Sequence, residues 1–460
     1  MKKLFFPALL LGAIFTSCSD DEGLSYEIIS DNVAEAANAS NGFFLVNEDW
    51  FGHCDGSVNY FKKKGAEYDI KYNVYANANG GETLGTTTCH SAIWGDNIYF
   101  VSKQGNRLVV ADAKTLKSKA VIQDLGDDGR AFQGVNEKKA YVGTGSGIVI
   151  FDLESNAVVG KVNGIDDEVG NIAYSNGKVF AITRNALFVI NPETDKIIKQ
   201  TEGQCSQLTM DRQGNIFVAL SDKMLKVNSQ TLATEDIAYS DNAKPADPWF
   251  AWNPGSMCYS TQTDHIYWTA KGKHIYKTDI NTKTSTLIYT LGKSDKGTNL
   301  SFYGAGLRID PLTDELIIIC KHSGWGNNGK YNFIYKLNNE GKEIMHQAIL
   351  DKNGEEYFWF PSLPVFEDAN KPQILLNQVV LNDNMKSEID LTEKIIDYDN
   401  VFPTMIVTAQ SAIPTIAKVS VQGNMLVVEP GAEEGCTTAT LSVLSNGVKV
   451  EKEIQIINEL

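Results

Sequence analysis

A set of large aromatic and basic side chains supplies the material for a binding site: Trp50, Phe51, His53, Arg130, Phe132, Trp249, Phe250, Trp252, Tyr303, His322 and Trp325. Trp and Tyr present broad, rigid apolar faces with one polar edge, and they dominate binding hot spots. Gathered on one surface, such residues hold a large ligand by stacking while a few polar groups orient it. Signs of covalent chemistry are weak by contrast. The chain has no Gly-x-Ser-x-Gly, no His-Glu-x-x-His and no Gly-x-x-x-x-Gly-Lys-Ser/Thr, so no enzyme activity is expected. Cys54 adjoins His53, Cys89 adjoins His90, and Cys320 stands two before His322. A zinc site needs four converging ligands, and these spacings do not supply them. A Cys54–Cys89 disulfide between loops is the expected use of two thiols. Asp127-Asp128 and Asp166-Asp167-Glu168 read as solvated acidic runs.

These side chains need a scaffold, and the sequence provides one by repetition. A unit beginning at Ser91 returns from Val135, Ile172, Leu208, Ser256 and Gly306, at a spacing of about 40 residues. Each unit has a short strand, a polar turn such as Gly95-Asp96-Asn97, and a strand rich in β-branched and aromatic residues. An alternating strand ending in Asp or Asn follows, then a turn with Thr or Ser and a last strand. Four such strands make an antiparallel sheet with two apolar faces, which radial stacking buries. Phe43 to Asn47, Gly56 to Phe61 and Tyr68 to Val74 supply three strands lacking a fourth. Phe358 to Pro364, at the other end of the array, is expected to complete that sheet and close the ring. Six whole units and one composite predict an all-β, seven-bladed β-propeller over 41–368.

Propeller topology sorts the loops onto two faces. The tight turns share one face; the other collects the long insertions 49–55, 76–89, 239–253, 292–303 and 321–331, with Arg130 and Phe132 on another connection facing the same way. Long loops on a rigid scaffold are where function concentrates. One aromatic-rimmed face over the central channel is therefore expected.

Both ends of the chain read differently. Lys2 and Lys3 precede an apolar run from Leu4 to Phe15, too short to span a bilayer, so 1–17 reads as a signal peptide. Ile14-Phe15-Thr16-Ser17-Cys18 resembles a lipobox, which predicts lipidation of Cys18 and an acidic tether over 18–40. A net charge of -16 argues against nucleic acid or an anionic membrane surface as partner. From about Lys371 the blade pattern stops, and strand-like runs at 418–421, 425–428, 438–444 and 449–457 predict a small immunoglobulin-like β-sandwich over 369–460. Asp397-Tyr398-Asp399-Asn400 resembles the Asp-x-Asp-Asn run of cadherin-like domains, where carboxylates hold calcium; a polar turn is the simpler reading.

Phe44-Leu45-Val46-Asn47-Glu48 with Phe51-Gly52 and Gly56-Ser57-Val58, then Ala140-Tyr141-Val142, Gly306 to Pro311 and Trp359 to Phe366, resemble a family of Bacteroidota surface lipoproteins with YncE-like propellers. The acidic stretch Ser19 to Gly23 also resembles their outer-surface export signal. Some members of that family capture cobalamin and pass it to a TonB-dependent transporter. The resemblance implies an outer-membrane lipoprotein, facing the exterior, that captures a small ligand, with a corrinoid as the sharpest candidate and such a transporter as partner. Adhesion to a glycan or a protein through the same face is the alternative.

Overall fold

Strand formation follows the alternation in the sequence, and the sheets it builds are small and repeated. The structure, a computed structural model, describes residues 26–27, 31–239, 243, 245, 256–382 and 385–459. The described residues form seven four-stranded antiparallel sheets. Six of them take their strands in chain order, starting with Thr86–Trp94, Gly129–Gly134, Val169–Ser175, Cys205–Met210, Met257–Tyr259 and Leu300–Ile309. The seventh is composite: Pro361–Phe366 pairs with Gly42–Asn47, followed by Ser57–Lys64 and Glu67–Lys71.

The first strand of each sheet packs against the first strand of the next, and Leu300–Ile309 closes on Pro361–Phe366, which adjoins Thr86–Trp94. This closed circuit of inner strands is a propeller-like fold. Its cores lie between sheets, because each sheet has two apolar faces to bury. Phe43, Leu45 and Phe61 of the composite sheet pack with Ile317, Ile319 and Ile334 of the preceding one. Phe44, Val46 and Val58, on the other face, pack with Ile98, Phe100 and Val109 of the following one.

The turn chemistry repeats with the sheets. Asp112 accepts hydrogen bonds from the backbone of Lys114 and Thr115 and from the Thr115 hydroxyl, and Leu116 then takes φ 57°. Asn228, Thr231 and Leu232 (φ 60°) repeat this, as do Asp279 and Thr282 before Lys283 (φ 59°). An Asp or Asn side chain that bonds the backbone two residues on makes these turns self-supporting.

The C-terminal residues form a five-stranded sheet, a three-stranded sheet (Ser387–Asp390, Met425–Pro430, Ala417–Gln422) and a two-stranded one. Their expected strands are present as Ala417–Gln422, Met425–Pro430, Gly435–Ser445 and Val448–Asn458. Tyr26–Glu27 pairs with Leu381 and Val380, so the N-terminal segment adds an edge to the five-stranded sheet. Asp31 then pairs with Lys394 at 2.6 Å, and the Tyr398 hydroxyl donates to the Glu35 carbonyl.

These C-terminal sheets sit on the inner hairpin turns of four consecutive four-stranded sheets. Gly95 N donates to Asn446 O and Asn176 N to Pro403 O, each at 2.8 Å. Lys449 pairs with Glu137 at 3.1 Å, and Pro403 abuts Gly214. Gly447 (φ 78°) fits only as glycine: a Cβ there would lie 2.4 Å from Gly95 N and 2.8 Å from Trp94 Cδ1. Gly447→Ala is therefore expected to lower stability by about 2 kcal/mol through strain and a forced backbone shift. A thermal melt checks it; an unchanged melting temperature would show that the junction yields freely.

Candidate functional site

Antiparallel chain order puts the inner hairpin turns on one face, where the C-terminal sheets dock, and the longer connections on the other. On that second face the structure assembles a chain of rings. Trp50 lies between His53 and Phe358, with ring centroids 3.8 and 4.2 Å away and near-parallel planes. Phe358 continues to Phe360 at 6.2 Å, Phe360 to Tyr303 at 5.3 Å, and Tyr303 meets Trp325 edge-on at 6.4 Å. Two of its rings reach solvent: Trp50 is 39% exposed and Trp325 65%. Phe51, 54% exposed, stands beside them under the Lys103 ammonium. Stacked and edge contacts of this kind fix the rings in place; Trp50 has a neighbour on each side.

The polar groups lie beneath. The backbone of Glu48 and Asp49 donates to Phe360 O and Trp359 O, which ties the first loop to the closing strand. The Tyr303 hydroxyl donates to Glu48 Oε2 at 2.7 Å, and Glu48 is 2% exposed. Burial holds the Glu48 carboxyl well above the usual range; Tyr303, Lys103 and Arg130 pull it down less strongly. Burial likewise pushes Asp49 up to about 8 against the hydrogen bonds of Ser57. Lys321, also buried, is pushed down to about 8 by desolvation. Its ammonium donates to the His322 and Gly324 carbonyls at 3.1 and 2.5 Å and lies 5.0 Å from the Trp325 ring centroid.

The structure thus brings Trp50, His53, Tyr303 and Trp325 into one chain, with Phe51 alongside. Tyr303, expected in a loop, lies on the inner strand Leu300–Ile309. Arg130 and Phe132 were expected on a connection and instead lie on the inner strand Gly129–Gly134, both buried. Arg130 pairs with Glu168 at 2.9 Å and Asp128 at 3.5 Å, and Phe132 stacks on Tyr99 inside a core. His322 ends the strand Leu316–His322; it is buried against Tyr331 and exchanges a hydrogen bond with Ser294. Trp249, Phe250, Trp252 and Cys18 lie outside the described residues. Glu48, Phe358 and Phe360 join the site through partners distant in the chain, Tyr303 and Trp50; Lys321 joins it through its own loop, by the His322 and Gly324 carbonyls and the Trp325 ring.

The expected Cys54–Cys89 disulfide is absent, and both cysteines are free. Cys89 is buried on the inner strand with its thiol against the carbonyls of Val101 and Gly129, whereas Cys54 faces Trp50 O and the Tyr357 hydroxyl.

Near the C-terminal junction, Asp368, Asp397 and Asp399 bring ligand oxygens within 4.8 Å of one another, the set among the described residues that could share a cation. Most of those oxygens already have donors. Ser445 and Asn400 donate to Asp397, Asn446 to Asp368, and Asn370 to Asp399. Asp397 Oδ1 also accepts from the backbone of Asp399 and Asn400, which makes the Asp397-Tyr398-Asp399-Asn400 run a polar turn. Burial pushes Asp368 up to about 8, and the charges of Asp397 and Asp399 add to the rise while Asn446 opposes it. An acid whose folded value is raised costs stability as pH climbs from the unfolded value, about 4, through the folded one. Wild type is therefore expected to lose stability between pH 4 and 8, and Asp368→Asn to remove part of that loss. Melts at pH 5 and 8.5 should show the variant gaining about 2–4 °C on wild type at the higher pH; equal slopes would refute the assignment.

A family model described as "Domain of unknown function (DUF5074)" matches residues 41–367. No curated protein matches the chain. Among solved structures it is similar to a quinonprotein alcohol dehydrogenase-like protein of Bacteroides thetaiotaomicron. That match has 20% identity and a TM-score of 0.56, and covers 71% of this chain and 78% of the other. It is also similar to the extracellular domain of a protein described as a one-component system of the same organism. There the identity is 13% and the TM-score 0.45, over 62% of this chain and 37% of that one. At 20% identity the first of these likenesses concerns fold alone.

Proposed function

The chain belongs to the DUF5074 family, and from that premise we propose that it is a lipid-anchored outer-membrane protein whose aromatic face captures a small ligand. In this reading residues 41–368 are a seven-bladed propeller, 369–460 an immunoglobulin-like sandwich, and 1–17 and 18–40 the signal peptide and tether. The observation that carries it is the ring chain from His53 to Trp325, partly exposed at Trp50 and Trp325 and lying over buried polar groups. Broad apolar contact with few polar groups suits a large, flat molecule. A corrinoid, passed on to a TonB-dependent transporter, is the specific candidate. Binding rather than catalysis is proposed because the sequence carries none of the nucleophile, zinc-protease or phosphate-loop motifs sought above.

Calorimetry of the purified mature protein with cyanocobalamin tests the reading, with saturable one-to-one binding below about micromolar expected. No heat would remove the corrinoid. Glycan arrays and co-purification would then decide between a glycan and a protein on the same face.

A further inference from the structure

The N-terminal segment runs along the C-terminal sheets in a register that can be followed residue by residue. Tyr26 and Glu27 pair with Leu381 and Val380, Asp31 bridges to Leu376, and Asn32 N donates to Leu375 O at 2.8 Å. Glu35 N then donates to Gln373 Oε1 and Asn38 N to Asn370 Oδ1, each at 2.7 Å. One set of numbers rises as the other falls, so the segment travels antiparallel, from Tyr26 toward the propeller at Asn38. Leu381 in turn pairs with Asn458, the last residue of the eleven-residue strand Val448–Asn458. The residue before that strand is Gly447, which abuts Gly95 of the propeller. Pro403, Asn446 and Lys449, which also touch the propeller, share this near end. The five-stranded sheet therefore stands on end, with Tyr26 at its far edge.

Strand rise turns this register into distances. Ten steps from Val448 to Asn458 cover about 33 Å. On the other side Phe360, a member of the ring chain, immediately precedes the six-residue strand Pro361–Phe366. Asp368, just past that strand, accepts from Asn446 of the docked hairpin, so ring chain and junction are about 20 Å apart. The rings and Tyr26 thus occupy opposite ends of a body roughly 50 Å long. Cys18 stands eight residues before Tyr26, and eight residues reach at most about 29 Å even when fully extended. Resting on the lipid-anchor reading above, we infer that the ring face cannot turn onto the bilayer and takes its ligand from the surrounding medium, the C-terminal sheets serving as the stand-off. Exposed aromatic rings often bind membrane interfaces; the short tether denies that use to Trp50, Phe51 and Trp325. A transporter partner must then meet the ring face above the headgroups.

The test uses the full-length lipidated protein in phosphatidylcholine vesicles that carry an acceptor dye on some headgroups. One sample bears a donor dye on native Cys436, exposed and paired with Ile457 at the far end, in a Cys54→Ser background. The other bears it at Asn327→Cys, two residues from Trp325 in an exposed loop, with Cys54→Ser and Cys436→Ser. Energy transfer should be at least about threefold more efficient from Cys436, given the ~50 Å between the ends. Inserting a 40-residue Gly/Ser spacer after Gly23 frees the body to turn and should bring the two within about twofold. Equal transfer without the spacer, stronger transfer from Asn327→Cys, or a difference that the spacer leaves untouched would overturn the inference. Lipid on Cys18, seen by mass spectrometry, together with the Asn327→Cys dye nearer the bilayer would keep the anchor reading and remove this inference alone. An unlipidated Cys18 would remove both.

Discussion

Phe43→Ala is expected to lower the unfolding free energy by about 3–5 kcal/mol, the usual cost of emptying a buried aromatic site. Phe43 is fully buried and packs on Phe61 and Tyr68 at 5.2 Å and on Phe366 at 5.6 Å. Those rings belong to both ends of the array, and their cluster includes Ile317 and Ile319 of the neighbouring sheet. The substitution therefore strikes where the ring is closed by strands about 320 residues apart in the chain. Without that closure two sheet edges would open, each with unpaired backbone groups. Urea unfolding followed by fluorescence and by limited proteolysis measures the effect. A loss under about 1 kcal/mol would show that closure carries little of the stability.

The second large effect concerns binding. Trp50→Ala and Trp325→Ala should each weaken cyanocobalamin about 30-fold, the scale of a hot-spot aromatic. The melting temperature of Trp325→Ala should barely move, since that ring is 65% exposed and exposed substitutions usually change stability by about 0.5 kcal/mol or less; Trp50→Ala should cost about 1–2 kcal/mol through its two stacked neighbours. Trp50 has the more telling position. Removing it takes away the ring between His53 and Phe358, so the remaining platform loses its planar support. If both variants bind as wild type does, the ligand does not sit on this ring chain.

Much of the fold was legible in the residues. The polar turns, the alternating strands and the Asp- or Asn-initiated turns with Thr or Ser recur with each sheet. The run Phe358 to Pro364 is expected beside Phe43–Asn47 because that sheet lacks a strand; the strand that pairs there is Pro361–Phe366, and Phe358 to Phe360 precede it. Inner-strand starts were harder to see. The repeat pattern of the second unit starts at Val135, but its strand begins at Gly129; that of the first starts at Ser91, but its strand begins at Thr86. The starts of these strands carry Thr87, Thr88, His90 and Arg130, all buried polar residues. Their polarity breaks the apolar alternation that marks a strand. In the C-terminal part, Gln378–Leu381 and Ser387–Asp390 are too short to announce themselves.

The site was legible in part, for a related reason. Trp50, His53 and Trp325 stand out as large rings in glycine-flanked loops. Glu48 does not, because its role depends on Tyr303, 255 residues away. Lys321 reads as one more strand lysine until Trp325 folds over it. Pairings set by ring closure leave no local periodicity to read.

The pairing of Tyr26–Glu27 with Val380 and Leu381, together with the composite sheet, also bears on the order of folding. Contacts between the first and last parts of a chain raise contact order and slow the search for the native state. During synthesis the first strands emerge long before their partners, and residues 42–71 must wait for 361–366 to arrive. The intervening sheets can assemble one after another on local hairpins, whereas final locking depends on the last hundred residues. A chain stalled or truncated near residue 350 would leave an open array with a bare strand edge, the kind of intermediate that proteases and aggregation remove first.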